Sequence, residues 1–118
     1  MTYVADSPES YEGQVVGDGN CVAFVRACTE APETARWKEG AKVKGASITK
    51  GTAIATFKNG HYPNDPTGNH AAIYIDQDSG GVNVWDQWKD RPVHKRKIRF
   101  QGGHGSPSND GDAFSVIE

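Results

Sequence analysis

The run Gly17-Asp18-Gly19-Asn20-Cys21-Val22-Ala23-Phe24-Val25-Arg26-Ala27-Cys28 constrains this chain more than any other stretch. It sets a thiol at the mouth of a helix, directly after a loop rich in glycine. Gly17 and Gly19 open backbone angles closed to other residues, and Asp18 or Asn20 can cap the helix by accepting from its orphan N–H groups. Beyond the loop, Cys21, Phe24, Val25 and Cys28 fall at i, i+3, i+4 and i+7, so one seam of the helix is apolar and faces a core. Pro32 ends it. Cys21 therefore lies in the first turn, where the positive end of the helix favours thiolate over thiol and where unpaired N–H groups can hold an oxyanion. A free cysteine is more often a small buried hydrophobe. That reading suits Cys28, inside the seam, better than Cys21. The two sulfurs cannot bridge, because their positions are about 10.5 Å apart along a helix.

With 118 residues the chain is expected to be one domain, 1–118, large enough to bury a core without a disulfide scaffold. A formal charge of −2 and 24% charged residues suggest neither a nucleic-acid binder nor a disordered tail. No apolar run approaches the roughly 20 residues of a membrane span, and the polar start Met1 to Glu12 lacks the regions of a secretory signal. Zinc-type pairings of cysteine and histidine are missing, and Gly17-x-Gly19 lacks the strand and third glycine of a dinucleotide loop. We therefore expect neither metal nor cofactor.

After the helix the pattern turns to strands. Thr52 to Phe57 alternates and is rich in β-formers, His61 to Asn69 carries two prolines and reads as a loop, and His70 to Ile75 reads as a strand. A turn over Asp76 to Gly81 leads to an antiparallel partner, Val82 to Trp88. Val93 to Phe100 follows with mixed charge, then a Gly/Ser/Asn loop over 102–111 and a last strand, Ala113 to Ile117. One early helix and four to six later strands predict an α+β fold, the helix packed on an antiparallel sheet.

A cysteine nucleophile needs a base, and the base needs a third group to hold its tautomer. Of the four histidines, His61, His94 and His104 fall in a loop, a basic strand and a Gly loop and are expected to be exposed; His70 alone opens an apolar strand. The third group follows from parity, since Val82, Val84, Asp86 and Trp88 share one face. If Asp76 pairs with Val82, Ala72 faces Asp86 and His70 lies diagonally beside that carboxylate. A slip of one residue exchanges Asp86 for Gln87, whose amide can also orient an imidazole. Gln14 is close enough upstream to be considered as an oxyanion donor beside the Cys21 N–H. Trp85 and Trp88 flank Asp86 and can wall a cleft, Trp85 being the candidate for substrate contact, or pack in the core. The basic run Lys89 to Arg99 is a solvated face or an attractor for carboxylates.

Gly-Asn-Cys21 opening a helix, Gly-Thr-Ala-Ile-Ala at Gly51 to Ala55, Gly-Asn-His70 opening a strand and Val82-x-Val84-x-Asp86 together resemble the CHAP and NlpC-type branch of the papain-like cysteine amidases and peptidases. The resemblance spans about residues 13 to 118. It implies a nucleophile-bearing helix on an antiparallel sheet and hydrolysis of amide bonds, typically in the stem peptides of peptidoglycan. Carried over, Cys21 matches the nucleophile, His70 the base and Asp86 the polar third residue. CHAP enzymes often carry Glu in place of Asp86 and NlpC-type enzymes a second His. Lys50 to Tyr62 and the closing Phe114 to Glu118 look like a small bacterial subgroup. Small members without a secretion signal also resemble amidase effectors injected by type VI secretion systems. Such a protein is made in the bacterial cytoplasm, leaves by a signal-independent route and acts in a target periplasm, with an immunity or inhibitor protein as a further partner. The competing expectations are a catalytically silent binding module on the same fold and a protease or deamidase acting on proteins.

Overall fold

A computed structural model describes residues 1–63 and 65–118. Helix α1 spans Cys21–Cys28, and six strands follow: β1 Glu39–Lys42, β2 Ala53–Thr56, β3 Ala71–Gln77, β4 Gly81–Trp88, β5 Arg91–Arg99 and β6 Phe114–Ile117. They form one antiparallel sheet in the order β1-β6-β2-β3-β4-β5, with α1 packed on it. This is the expected α+β architecture. β1 had no sequence signal, because Glu-Gly-Ala-Lys is polar and mostly exposed; it pairs only with β6 and sits at the sheet edge.

The strands carry a core on both faces. Under α1, Phe24 and Val25 pack with Trp37, Ala53, Ala55, Ala71, Ile73, Val93 and Ile117. The three alanines keep that face shallow and let the helix approach the sheet. On the far face Ile54, Ala72, Tyr74, Val82, Val84, Ile98, Phe114 and Val116 form a second cluster, closed by Val43, Ile48 and Phe100 from the connecting segments. Neither face of the central strands meets water, which is why β2 and most of β3 are buried without a break.

The β3–β4 hairpin turns more tightly than the expected Asp76–Gly81 turn. Asp78 Oδ1 accepts from the Gly80 and Gly81 amides at 2.8 and 3.2 Å, and Gln77 pairs with Val82. The register then shifts between Tyr74 and Asp76, so that Tyr74 meets Val84 and Ile73 meets Trp85. Asp76 lies opposite Asn83, not Val82. The bulge at Ile75 absorbs the one-residue error and restores the expected alignment of Ala72 with Asp86 at the far end.

The basic run is the outer strand β5, whose free edge is blunted by Arg91, Lys95 and Arg99, while Lys97 pairs with Asp78 at 2.7 Å. The same edge is tied down at one point. Gly13 N–H donates to Val93 O at 2.8 Å and Val93 N–H to Gln14 O at 2.9 Å, so the segment leading to the glycine loop is pinned to β5.

Phe24 is fully buried between α1 and the alanine-lined face. Phe24→Ala should lower the free energy of unfolding by about 3–5 kcal/mol in urea titrations, since the helix cannot close the gap without moving its own N-terminus.

Candidate active site

The glycine loop delivers Cys21 through a chain of short bonds. Gly17 and Gly19 take φ of 59° and 86°, and a Cβ at Gly17 would meet the Ala23 Cβ at 2.9 Å, so neither position accepts a side chain without strain. Asp18 Oδ1 accepts from the Asn20 amide at 3.0 Å, and Asn20, the N-cap, accepts from the Val22 amide at 3.0 Å. Of the two expected cappers only Asn20 caps the helix; Asp18 fixes the loop that holds the cap. Gln87 then clamps the loop to β4. Its Oε1 accepts from Val16 N–H at 2.9 Å, and its Nε2 donates to Val16 O at 2.9 Å and to Asn20 O at 2.8 Å.

Gln87 thus points to the helix side of the sheet and is consumed there; it does not orient His70, as the alternative register required. Gln14 is likewise excluded as an oxyanion donor, because its Nε2 turns to Ser10 O at 3.2 Å. Trp85 lines a separate cavity of about 270 Å³ with Tyr74, Ile75 and Lys50, away from the thiol. The tryptophan at the site is Trp88, with its ring centroid 6.4 Å from that of His70.

His70 is anchored just before β3. Its N–H donates to Thr56 Oγ1 at 3.0 Å, and its carbonyl accepts from Thr56 N–H at 3.0 Å. The buried ring sits edge-on to Phe114 and Trp88, and its Nε2 lies 2.7 Å from Asp86 Oδ2. With Nε2 committed to the carboxylate, Nδ1 is the nitrogen left to face Cys21, and the His70 charge and the Cys21 thiolate favour each other. The structure thereby brings Cys21, His70 and Asp86 together.

Asp86 is fully buried, and one of its two oxygens is compensated. Arg96 Nε donates to Oδ2 at 2.7 Å, and its guanidinium lies 5.0 Å from the Trp88 ring centroid. His94 is half-buried rather than exposed: it packs edge-on against Trp88, centroids 5.1 Å apart, with Nε2 3.9 Å from Asp86 Oδ1. Among the described residues Oδ1 has no hydrogen-bond partner. Burial opposes ionisation of Asp86, but the bond and charge of His70 and the charge of Arg96 overcome it and hold the carboxyl below its usual range.

The same couplings set the other two groups. Burial works against a charged imidazole, yet the Asp86 bond and the adjacent thiolate raise His70 to about 9. Burial also works against the Cys21 thiolate; His70, the Ala71 N–H and the Tyr62 hydroxyl reverse this and lower its pKa. Cys28, half-buried with no such neighbours, is pushed up to about 12 by burial. Neutral-pH chemistry is therefore confined to one of the two thiols.

Tyr62, His94 and Arg96 escaped the sequence reading as members of the site, whereas Trp88 is a candidate cleft wall from the sequence. Tyr62 lies in the proline loop and reaches the sulfur, its hydroxyl 3.8 Å from Cys21 Sγ. It also lines an open groove of about 790 Å³ with Asn20, Val22, Arg26, Thr34 and Asn69. Among the described residues no group of three or more His, Cys, Asp or Glu side chains is placed to hold a metal ion, and no helix is long and apolar enough to cross a membrane.

Fold and site define a class: an α+β protein in which a helix-borne cysteine, a histidine and an aspartate converge at one end of an antiparallel sheet. The family described as Domesticated amidase effector 2 (Dae2) matches residues 1–117, and the chain belongs to it. It is 36% identical over 133 residues to a type VI secretion amidase effector 2 protein of Salmonella typhi, with all of both chains covered. Against a domesticated amidase effector 2 of Ixodes scapularis the identity is 41% over 119 residues, covering 94% of this chain and 81% of the relative. The solved structure of a type 6 secretion amidase effector 2 (Tae2) superposes with a TM-score of 0.91 at 36% identity, covering 98% and 94% of the two chains.

The shifted thiol makes a direct prediction. Alkylation of Cys21 by iodoacetamide should rise with a midpoint below the ordinary thiol value of about 8.5, while Cys28 should stay unmodified through pH 9; peptide mapping by mass spectrometry reads both. Equal labelling of the two cysteines across that range would contradict the arrangement.

Proposed function

We propose that this protein is a cysteine-dependent amidase that hydrolyses amide bonds in peptidoglycan stem peptides, working as an antibacterial effector on the papain-like CHAP/NlpC plan. The observation that carries the reading is the 2.7 Å bond from His70 to a buried, ionised Asp86, next to a thiol at a helix start. Membership in an amidase-effector family supports the reaction, and the name of the Salmonella typhi relative supports delivery by type VI secretion.

In this mechanism the Cys21 thiolate attacks the amide carbonyl, and the negative charge passes from sulfur to oxygen. The Cys21 N–H, which belongs to the first turn and has no intrahelical acceptor, receives the oxyanion. His70, protonated and held by Asp86, gives its proton to the departing amine as the C–N bond breaks. Water enters, His70 takes one of its protons, and the attacking oxygen displaces the sulfur to release the acid. An open groove runs beside α1 and is lined by Asn20 and Tyr62, both of which touch the Cys21 sulfur. A binding module would gain nothing from a compensated carboxylate that fixes an imidazole against a sulfur. The immunity or inhibitor partner of such an effector is part of the same proposal.

Cys21→Ala and His70→Ala should each abolish release of fragments from purified sacculi, read by mass spectrometry, while circular dichroism stays native. Asp86→Asn should lower kcat by about 10²- to 10⁴-fold, and Cys28→Ala should leave it unchanged. Fragment release by Cys21→Ala at the parent rate would refute the proposal. In wild type, kcat/KM should climb as Cys21 ionises and fall again near pH 9, where His70 loses the proton that the leaving amine needs.

A further inference from the structure

We infer that Tyr62 is a catalytic residue that donates a second hydrogen bond to the oxyanion, with Asn69 as a positioning residue that keeps the Tyr62 hydroxyl aimed at the reacting atoms. This rests on the amidase reading and adds to it a part that the Cys-His-Asp set lacks. One N–H at the helix start leaves half of an oxyanion site unfilled, and with Gln14 and Gln87 engaged elsewhere no glutamine supplies the rest.

Three observations converge on Tyr62. Its hydroxyl is 3.8 Å from Cys21 Sγ, the atom that makes the new bond, so it borders the space where the oxygen of an attacked carbonyl must develop charge. Its ring is fixed edge-on against buried Trp37, centroids 5.0 Å apart, and Trp37 is itself locked by a 2.7 Å bond from its indole N–H to Pro32 O. The donor is therefore preorganised rather than recruited. Finally, Tyr62 and Asn69 line the open groove together.

The direction of the hydroxyl follows from its neighbours. The Tyr62 hydroxyl lies 3.8 Å from Cys21 Sγ, and a thiolate has no proton to give, so the hydroxyl is the donor of that pair. Asn69, beside it on the groove wall, favours the tyrosine oxygen as an acceptor. The proton thus points at the sulfur. Asn69 leaves its own Oδ1 buried without a partner among the described residues, a cost that a packing residue has no reason to carry. When the C–S bond forms, the carbonyl π pair moves to oxygen and the charge leaves the sulfur. The Tyr62 hydrogen bond moves with it, from sulfur to oxyanion, and no proton is transferred. Stabilisation is greater in the tetrahedral state than before attack, which is the condition for raising kcat.

The test is steady-state cleavage of a defined stem-peptide substrate, alongside iodoacetamide alkylation, for wild type, Tyr62→Phe and Asn69→Asp. Phe keeps the ring on Trp37, so a native melting curve is expected. Tyr62→Phe should lose about 10²- to 10³-fold in kcat with KM changed by less than about threefold. The loss should persist at a pH where alkylation shows Cys21 fully ionised, which separates oxyanion binding from simple tuning of the thiol. Asn69→Asp is nearly isosteric but accepts the tyrosine proton and turns it away, so it should fall to the level of Tyr62→Phe. The double variant should be no worse than either. Wild-type kcat in Tyr62→Phe, recovery of that kcat at high pH, or wild-type kcat in Asn69→Asp would overturn the inference while leaving the amidase reading intact. A wild-type protein that cleaves no stem peptide would overturn both.

Discussion

The site depends on one buried carboxylate. Asp86 lies inside the sheet with no exposure, and an ion in that position survives only if opposite charge and hydrogen bonds replace the water it has lost. Arg96 and His70 both reach Oδ2 at 2.7 Å, and His94 approaches Oδ1. The arginine is permanently charged, and its charge adds to the larger effect of the His70 bond and charge in holding Asp86 ionised. An ionised Asp86 in turn favours an imidazolium, and the imidazolium favours a thiolate at Cys21. The charge order Arg⁺, Asp⁻, His⁺, S⁻ runs through the sheet end as a sequence of compensations, each one the reason for the next.

The scaffold joins two faces of the sheet to build this. Consecutive residues of β4 point to opposite sides, and both are used: Asp86 holds the imidazole on one side, and Gln87 holds the loop that carries the sulfur on the other. The placement of Cys21 relative to His70 is therefore set by the pleat of a single strand. The basic character of β5 serves the same site, since Arg96 faces Asp86 while its neighbours Lys95 and Lys97 face away and keep the sheet edge wet.

Much of this was legible in the sequence because it obeys local rules. The glycine loop, its asparagine cap and the apolar seam mark the start of α1 to the residue. The helix nevertheless stops at Cys28, before Pro32, where Thr29 Oγ1 takes over the last turn by donating to Val25 O. The alternation in β3 and β4 identifies both strands. The pairing of Ala72 with Asp86 came out as expected from a wrong starting pair, because the bulge at Ile75 cancels the error in the turn. A second bulge had the opposite effect. The tight turn after Trp88, which pairs with Arg91, would put Val93 opposite Asp86, but the register shifts and His94 takes that place, bringing Arg96 to the same face. Bulges are set by tertiary twist, not by residue pattern, so His94 and Arg96 could not be assigned from the chain alone. Tyr62 was hidden for another reason: it lies in an aperiodic loop positioned by Trp37, through a contact between residues far apart in sequence.

The account stands or falls on the state of charge of Cys21, His70 and Asp86. Nitrogen-15 NMR of the His70 ring at pH 7 tests this most directly, because protonated and neutral imidazole nitrogens resonate far apart. The account predicts both nitrogens of His70 protonated in the resting wild-type protein, with the imidazolium signal lost near pH 9. A neutral His70 ring at pH 7, with Cys21 intact, would contradict it.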